Sequence, residues 1–368
     1  MRFPEFTEEW KAEQLDNIAT LSKGIGISKE QLSEDGEPCI LYGELYTKYK
    51  SEIIKQVESK TDINGSKLKR SKANDVIIPC SGETAVDIAT ARCVPFDNIL
   101  FGGDLNVISL HQYDGAFMSY QLNGKRKYDI ARVAQGVSIV HLYGEHLKAI
   151  KTYNPTLPEQ QKIAKLLSLL DDRIDTQNKI IEKLQSLIKG LRVCCMQRVY
   201  GNNVYLSEIA QIYQPQTISS TELTEDGFLV YGANGIIGKY KDYNHETEQI
   251  CITCRGNTCG MVNYTKPMSW ITGNAMVINT DKYQDKVCKR YLYHYLSAYN
   301  FNSIISGSGQ PQIVRTPLEK LKITLPTISE QKQKAIFFDK IQDKIDINHK
   351  VLNLYIGQKQ YLLRQMFI

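Results

Sequence analysis

The chain has 368 residues, more than one typical single-core domain, so its length favours two domains. Hydrophobic residues make up 42% and charged residues 23%, which excludes a disordered or fibrous chain. Lysine and arginine exceed aspartate and glutamate by five. This mild excess suits a polyanionic partner but is far below that of a histone-like protein.

The nine cysteines are odd in number and irregular in spacing, and they include the neighbours Cys194 and Cys195. This pattern favours reduced thiols in a cytoplasm over a secreted disulfide framework. The first residues include acidic side chains and form no signal peptide, and no segment has the roughly 18 consecutive apolar residues of a membrane span. We expect a soluble, cytoplasmic protein that does not contact a membrane.

The first globular segment is expected to cover residues 1–155. The apolar runs DVIIPC, NILFGG, NVISL and VSIVHL, separated by turn-forming residues, predict short strands. The stretch LYTKYKSEIIKQVESK, at residues 45–60, predicts a helix that the second half of the chain lacks.

A long helix is expected within residues 156–199. Its apolar positions step by four and three, which is a coiled-coil heptad pattern interrupted by one glutamine. The predicted seam consists of Ile163, Leu167, Leu170, Ile174, Gln177, Ile181, Leu184, Ile188 and Leu191.

A second globular segment is expected over residues 200–326, with strands in QICITC and AMVIN and a helix in KRYLYHYLSAYN. A second long helix is expected within residues 327–368. Lys359 breaks its pattern near the end, and its predicted seam consists of Phe338, Ile341, Ile345, Asn348, Leu352, Tyr355 and Leu362.

The two halves are an internal repeat. Residues 154–179 align with residues 325–350 at a constant offset of 171 without a gap. Weaker matches place Leu15 opposite Leu206 at offset 191, and Gly82 opposite Gly256 and Ile139 opposite Ile313 at offset 174.

Gln177 and Asn348 are equivalent in the repeat and lie near the two helix midpoints. Each helix, at about 1.5 Å per residue, is expected to span on the order of 55 Å. An antiparallel pair would bring the two amides together, and a parallel pair would align them as well. Because each helix must carry the chain away from its own domain, we favour antiparallel pairing; the alternative is that each helix packs only on its own domain.

The fold class expected is therefore α+β, with two globular domains separated by two long antiparallel coiled-coil helices in a pseudo-two-fold internal repeat.

The opening RFPEF with Trp10, and a proline that precedes PEQ or SEQ at the start of a long helix with D-x-I-D, resemble the specificity subunits of type I restriction-modification enzymes. The resemblance covers nearly the whole chain. The second helix begins with SEQ instead of PEQ, while Pro326 keeps the upstream proline.

The resemblance implies two target-recognition domains, each reading one half of an asymmetric bipartite site in double-stranded DNA, with the helices as a ruler between them. It also implies a chain that does no chemistry itself. Two methyltransferase subunits would dock on the helices, and restriction and translocation subunits would join for cleavage. S-adenosylmethionine, ATP and magnesium would belong to those partners.

The chain's own motifs do not favour catalysis. Asn154-Pro155-Thr156 lacks the second proline and the aromatic residue of an amino-methyltransferase loop. The E-x-K triplets at Glu9, Glu58 and Glu330 lack the upstream Pro-Asp of a metal-dependent nuclease, and no phosphate-binding G-x-x-x-x-G-K-[ST] occurs. A stand-alone methyltransferase or endonuclease, and a coiled-coil scaffold that binds only proteins, are the alternative functions.

A cysteine group in the second half raises the possibility of zinc, because Cys-x-x-Cys is a common half-site. Its irregular spacing favours ordinary thiols, and we expect no metal at Cys251, Cys254, Cys259 and Cys288.

Reading duplex DNA requires cations for phosphates and paired donors and acceptors for base edges. Five loops combine such side chains. The candidates are Lys67, Lys69, Arg70 and Lys72 in NGSKLKRSK, Lys125, Arg126 and Lys127 in NGKRK, Lys239, Tyr240 and Lys241 in IIGKYKDYN, Arg255 and Asn257 in TCRGNT, and Gln310, Gln312 and Arg315 in SGSGQPQIVR.

Overall fold

The structure, a computed structural model, describes residues 2–64, 67–233, 235–307 and 309–367. The chain forms two units. The first comprises Met1–Asn178 and Lys350–Ile368, and the second comprises Lys179–His349. Each unit therefore contains one globular domain, one part of the first long helix and one part of the second.

In the first half of the chain, short strands alternate with short helices before the first long helix, which runs from the first unit into the second. The strands are β1 (Lys11–Gln14), β2 (Ala19–Lys23), β3 (Leu32–Ser33), β4 (Glu37–Ile40), β5 (Lys60–Thr61), β6 (Lys69–Arg70), β7 (Asp75–Pro79), β8 (Ser81–Gly82), β9 (Arg92–Val94), β10 (Leu100–Phe101), β11 (Leu105–Leu110), β12 (Val140–His141) and β13 (Lys151–Asn154). The helices are α1 (Leu15–Ile18), α2 (Glu44–Thr47), α3 (Ala85–Ile88), α4 (Gly115–Asn123), α5 (Lys127–Val133), α6 (Gly144–Lys148) and α7 (Leu157–Gln197).

In the second half of the chain, whose long helix runs from the second unit into the first, the same alternation recurs. Its strands are β14 (Asn202–Tyr205), β15 (Gln211–Tyr213), β16 (Phe228–Gly232), β17 (Gly235–Tyr240), β18 (Ile250–Thr253), β19 (Val262–Tyr264), β20 (Trp270–Ile271), β21 (Ala275–Asn279), β22 (Ile305–Ser306), β23 (Gln312–Ile313) and β24 (Lys322–Leu325). Its helices are α8 (Lys289–Ala298), α9 (Arg315–Glu319) and α10 (Ile328–Gln365).

The two domains share one sheet topology. A four-stranded sheet has the order β2-β11-β7-β9 in the first unit and β15-β21-β18-β19 in the second, with antiparallel neighbours in both. Beside it lies a sheet that contains one parallel pair, β4 with β10 or β16 with β20. The strand before each long helix pairs antiparallel with the strand that opens the domain, as β1 with β13 and β14 with β24. The α+β class and the internal repeat are thus confirmed.

Buried apolar strands build these cores. All four residues of β18 are buried, as are the five residues of β7. Such unbroken burial requires cover on both sheet faces, and α4 and α8 supply part of it in their respective domains.

The two long helices run antiparallel within each unit. In the first unit Asp171 of α7 binds Lys359 of α10 at 2.5 Å, and the Arg173 guanidinium lies 5.9 Å from the Tyr355 ring, so contacts move backward along α10 as they move forward along α7. In the second unit Lys334, near the start of α10, donates to the carbonyl of Cys195, near the end of α7, at 3.0 Å. The antiparallel prediction is confirmed.

The predicted seam positions are buried or half-buried throughout both helices. Gln177 is 8% exposed, and the Asn348 amide donates to the carbonyl of Lys344 in its own helix at 2.6 Å. Because these two residues belong to different units, their mutual hydrogen bond stays a prediction.

The predicted helix at residues 45–60 is wrong. Only Glu44–Thr47 is helical, and the following residues form an extended strap along β9. Cys93 N donates to Glu52 O at 2.8 Å, and Ile54 N donates to Cys93 O at 2.9 Å. This pairing satisfies the strap's backbone while Ile54 enters the core, so tertiary contacts override local helix propensity.

Candidate nucleic-acid interface

A glutamine at the start of each long helix joins that helix to its own domain. The Gln160 amide oxygen accepts from Asp114 N at 2.9 Å, and its amide nitrogen donates to Pro155 O at 2.8 Å. In the second unit Gln331 accepts from Cys288 N at 2.8 Å and donates to Pro326 O at 3.0 Å.

Asp114 and Cys288 are the residues that cap α4 and α8 at their N-termini. Both glutamine side chains are 1% exposed. The glutamine of the PEQ and SEQ motifs therefore fixes the direction in which each long helix leaves its domain.

A buried ionic cluster reinforces this joint in the first unit. Lys359, which breaks the apolar pattern of α10, is paired with Asp171 and with Glu52 of the strap. The Tyr120 hydroxyl of α4 donates to Asp171 at 2.6 Å. Burial, followed by the charge of Asp171, raises the pKa of Tyr120 well above its usual range, so the phenol stays protonated and keeps donating.

The second unit has a different cluster at a comparable place. His294 of α8, which is fully buried, contacts Asp339 of α10 at 2.7 Å and accepts from Arg192 Nε of α7 at 3.1 Å. Arg290 binds the same carboxylate with its Nε at 2.9 and 3.0 Å. Burial lowers the pKa of His294, and the hydrogen bond to Asp339 opposes that effect without outweighing it.

The RFPEF opening packs against the start of α7. Arg2 donates to both Glu159 oxygens at 2.7 Å, and Lys162 lies 4.5 Å above the Phe3 ring. Trp10 contacts Phe117 edge-on, with ring centroids 5.7 Å apart. This motif is structural within the first unit.

The candidates in NGSKLKRSK are only partly available for DNA. Arg70 in β6 binds Glu37 at 2.5 and 3.0 Å, and that hydrogen bond lowers the pKa of the glutamate. Lys67 and Lys72 are exposed, and Lys69 is half-buried. Residues 65 and 66 of this loop lie outside the described part of the chain.

The NGKRK turn between α4 and α5 is also largely engaged. Arg126 lies 5.2 Å from the Tyr153 ring and binds Asp129 at 3.1 Å. Burial, with the nearby Arg92 charge, lowers the pKa of Lys127, and Lys125 is exposed.

The IIGKYKDYN candidates lie at the end of β17. Lys239 is 3.4 Å from Asp226, and Lys241 lies 5.9 Å from the ring of Tyr240. Tyr240 packs edge-on against Trp270 at 5.0 Å. This corner is an aromatic surface with one exposed lysine, Lys241.

The structure brings together the loops TCRGNT and SGSGQPQIVR, which are far apart in the sequence. Arg255 forms an antiparallel bridge with Gln312, and Gly256 N donates to Pro311 O at 2.9 Å. β22 pairs with β23 on the other side, so Gln312 lies between Arg255 and Ser306. We call residues 255–256, 305–306 and 312–313 the second ribbon.

Most candidates in these two loops point to solvent. Arg255, Asn257, Gln310 and Gln312 are exposed, whereas Arg315 donates to Glu319 at 2.7 Å. Gly256 has a φ of 85°, which favours glycine at the turn beside Arg255. Residue 308 lies outside the described ranges.

An equivalent ribbon exists in the first unit, and the sequence-based candidates missed it. Ser81 pairs with His141, and His141 also forms a bridge with Gln135. We call residues 81–82, 135 and 140–141 the first ribbon.

The internal repeat could have identified this ribbon from sequence, because Gly82 aligns with Gly256 of the second ribbon. The prediction that Ile139 corresponds to Ile313 is wrong by three positions. Leu142 N donates to Cys80 O at 2.8 Å as Ile313 N donates to Cys254 O at 3.0 Å, so Leu142 is the counterpart of Ile313.

Two of the four cysteines considered for zinc, Cys251 and Cys254, are not placed to share one ion. Cys251 and Cys254 lie in different apolar clusters because they project from β18 and its continuation toward opposite faces of the sheet. Burial raises the pKa of the Cys251 thiol to about 12, which disfavours the thiolate that a metal needs. Over the described ranges, no group of three or more His, Cys, Asp or Glu side chains is placed to hold a metal ion.

The residues of the catalytic-looking motifs have structural partners. Asn154 is 3% exposed, and its amide donates to Glu13 at 3.1 Å and to Thr152 at 3.0 Å. Glu330 accepts from Thr327 N at 3.0 Å, and Glu330 N donates to the Thr327 hydroxyl at 3.3 Å, which is a capping box at the start of α10. Among the helices described, none is both long and apolar enough to cross a bilayer.

The chain is similar in sequence to known proteins. The chain is 24% identical over 405 aligned positions to the type I restriction enzyme MjaVIII specificity subunit of Methanocaldococcus jannaschii, covering 93% of this chain and 88% of the relative. It is 31% identical over 153 residues to the EcoprrI specificity subunit of Escherichia coli, covering 40% of this chain and only 36% of that relative.

Solved structures show the same fold. The S subunit of a type I restriction-modification system from M. genitalium matches with a TM-score of 0.67 at 18% identity, over 100% of this chain and 97% of that one. A chain from a study of assembly and conformational transition in a type I system matches with a TM-score of 0.58 at 15% identity, over 98% and 97%. A family model described as the type I restriction modification DNA specificity domain matches residues 7–186 and again 202–354, and the chain belongs to that family.

Proposed function

We propose that this chain is the DNA-recognition subunit of a type I restriction-modification complex and performs no catalysis itself. The domain of residues 1–155 reads one half of an interrupted DNA site, and the domain of residues 200–326 reads the other. Because the two domains differ in sequence, the half-sites differ, and the target is asymmetric.

The main observation in support is that the same contact joins each domain to its long helix. Two domains with different surfaces are held on their long helices by the same glutamine contacts, Gln160 in one and Gln331 in the other. A rigid joint is useful where the helix has to set a distance. We propose that the helical regions 156–199 and 327–368 set the gap between the half-sites.

The partners follow from this role. Two modification subunits would dock on the helices and methylate adenine with S-adenosylmethionine, and restriction subunits would use ATP and magnesium. A stand-alone methyltransferase is disfavoured because Asn154, the only residue offered for a base-holding loop, is buried and bound to Glu13.

The proposed function is tested by mapping adenine methylation across a genome. The full chain is expressed with its modification subunits in a host without other adenine methylation, and methylated adenines are mapped. We expect one asymmetric, interrupted motif that requires both proteins. Methylation of DNA by the purified chain with S-adenosylmethionine alone would contradict the non-catalytic role.

A deletion tests the ruler. Removing one heptad from each helix should change the permitted gap and leave both half-sites intact. A control pair of variants carries alanine substitutions at exposed helix positions without any deletion, and it should keep the original gap. If the deletion variant methylates sites with the original gap, the helices do not set it.

A further inference from the structure

The two ribbons are equivalent residue by residue. His141 lies between Ser81 and Gln135, as Gln312 lies between Arg255 and Ser306. From residue 135 onward the offset is 171, the same offset that relates the long helices. The two ribbons therefore share one backbone pairing and differ in their side chains.

The glycines at the start of the two tip loops also match. Gly136 and Gly307 both have positive φ, 123° and 96°. A Cβ at Gly136 would lie 2.1 Å from Ile139 O, and a Cβ at Gly307 would lie 2.4 Å from Gln310 O. Both positions require glycine, so the backbone turn at each of them is fixed while other residues of the loop are free to differ.

What the first loop displays is unusual for a surface. Val137 is 98% exposed and Ile139 is 60% exposed. Ile139 occupies the place of Gln310, and the fixed glycine turn holds it out in solvent. Apolar side chains in such a position suit contact with the methyl group of thymine.

Polar groups complete the surface of the first ribbon. Gln135 and His141 are exposed, and their side chains can each donate and accept hydrogen bonds. The His141 ring stacks on Tyr143 at 6.2 Å, and Lys23, at the end of β2, lies 5.7 Å from the Tyr143 ring. A base-reading edge thus adjoins a cation that can bind phosphate.

The lysine-rich loops of the same domain are less suited to this task. Arg70 is bound to Glu37, and Arg126 is bound to Asp129 and packed on Tyr153. Because these arginines are engaged, the lysines remain, and their compact ammonium groups suit phosphate contacts.

We infer that the first domain reads its half-site with the first ribbon, through Gln135 and His141 at base edges, Val137 and Ile139 against thymine methyl groups, and Lys23 on a phosphate. This inference rests on the proposed function, because it assigns the reading surface within that role.

The test uses the same methylome with three variants of the full chain. The first carries Gln135→Ala and His141→Ala. The second carries Ser81→Arg, Ile139→Gln and His141→Gln, which give the first ribbon and its loop the side chains of Arg255, Gln310 and Gln312 in the second domain. The third, Gln312→Ala, is the matched control in the second domain.

We expect the double alanine variant to lose roughly five- to hundred-fold of its preference at one or two base pairs of one half-site, and to keep the other half-site. Gln312→Ala should relax the other half-site. The triple variant should change the first half-site to a new sequence. Thermal denaturation checks folding, and if the alanine variant does not fold, the triple variant decides.

Three results would overturn the inference. If the first-ribbon variants leave both half-sites unchanged, the first ribbon does not read DNA. The same conclusion follows if the His141 and Gln312 variants alter the same half-site. Either result leaves the proposed function of the chain standing. No interrupted motif with the wild-type chain removes the proposed function, and the ribbon's role with it.

Discussion

Replacing Gln160 by alanine should destabilise the first unit substantially. The side chain is 1% exposed, and its truncation leaves Asp114 N and Pro155 O without their partner at a buried joint. An unsatisfied buried hydrogen-bonding group costs about 1–3 kcal/mol, so two such groups together cost about 3 kcal/mol. For a unit of about 200 residues, that loss lowers the melting temperature by about 6–12 °C.

Calorimetry and urea denaturation of the full chain measure this change. Gln161→Ala is the matched control, because Gln161 is the next residue of the same helix and is exposed. In the second unit, Gln331→Ala with Gln333→Ala as its control should repeat the result. If Gln160→Ala and Gln161→Ala unfold within about 0.5 kcal/mol of each other, the glutamine is not the joint.

Three further predictions concern charged groups. Lys359→Ala should lower the free energy of unfolding, measured by urea denaturation, by about 3–5 kcal/mol, because it leaves two buried carboxylates without a positive partner. An effect below about 1 kcal/mol would contradict that pairing. The pKa of His294 is lowered in the folded state, so the contribution of neutral His294 to the free energy of unfolding is present above pH ~6.5 and is lost as the pH falls below that value. His294→Tyr should therefore flatten the pH dependence of the free energy of unfolding between pH 7.5 and 5.5. An unchanged slope would refute this. Replacing Lys67, Lys69 and Arg70 together by alanine should reduce the slope of log binding constant against log salt concentration by about two phosphate contacts. The loss is two contacts and not three because Arg70 already binds a carboxylate. An unchanged slope would show that the loop does not contact DNA.

Several features of the fold were predictable from sequence because they depend on long, regular patterns. The heptads from Ile163 to Leu191 and from Phe338 to Leu362 identify both long helices, and residues 154–179 align with residues 325–350 without a gap. Over a long helix, the apolar period dominates local irregularities, so the seam positions could be named individually.

Other features depend on contacts that a local pattern does not contain. Residues 45–60 have a helical composition, yet Glu52 and Ile54 pair with a strand some 40 residues away, and the segment is extended. Lys359 looks like a fault in the seam until Asp171 and Glu52 are seen to surround it.

The first ribbon was missed for a related reason. Its strands are two residues long, and its exposed side chains are not lysine or arginine. A search for positive charge therefore selected Arg70 and Arg126, which the fold ties to carboxylates. The equivalence of Gly136 and Gly307 lies in backbone conformation, which the weak local similarity does not reveal.

The glutamine joint has an evolutionary consequence. Apart from the helix's own glutamine, every group in it is a main-chain atom: Asp114 N and Pro155 O in one half, and Cys288 N, Lys286 O and Pro326 O in the other. A recombination event that exchanges a reading domain can therefore keep these contacts without a substitution at Gln160 or Gln331, whereas Asp171, Lys359 and Asp339 pair with side chains of the domain and have to match it. The glutamine contacts do not depend on the side chains with which a domain reads DNA, so they are preserved when whole domains are exchanged.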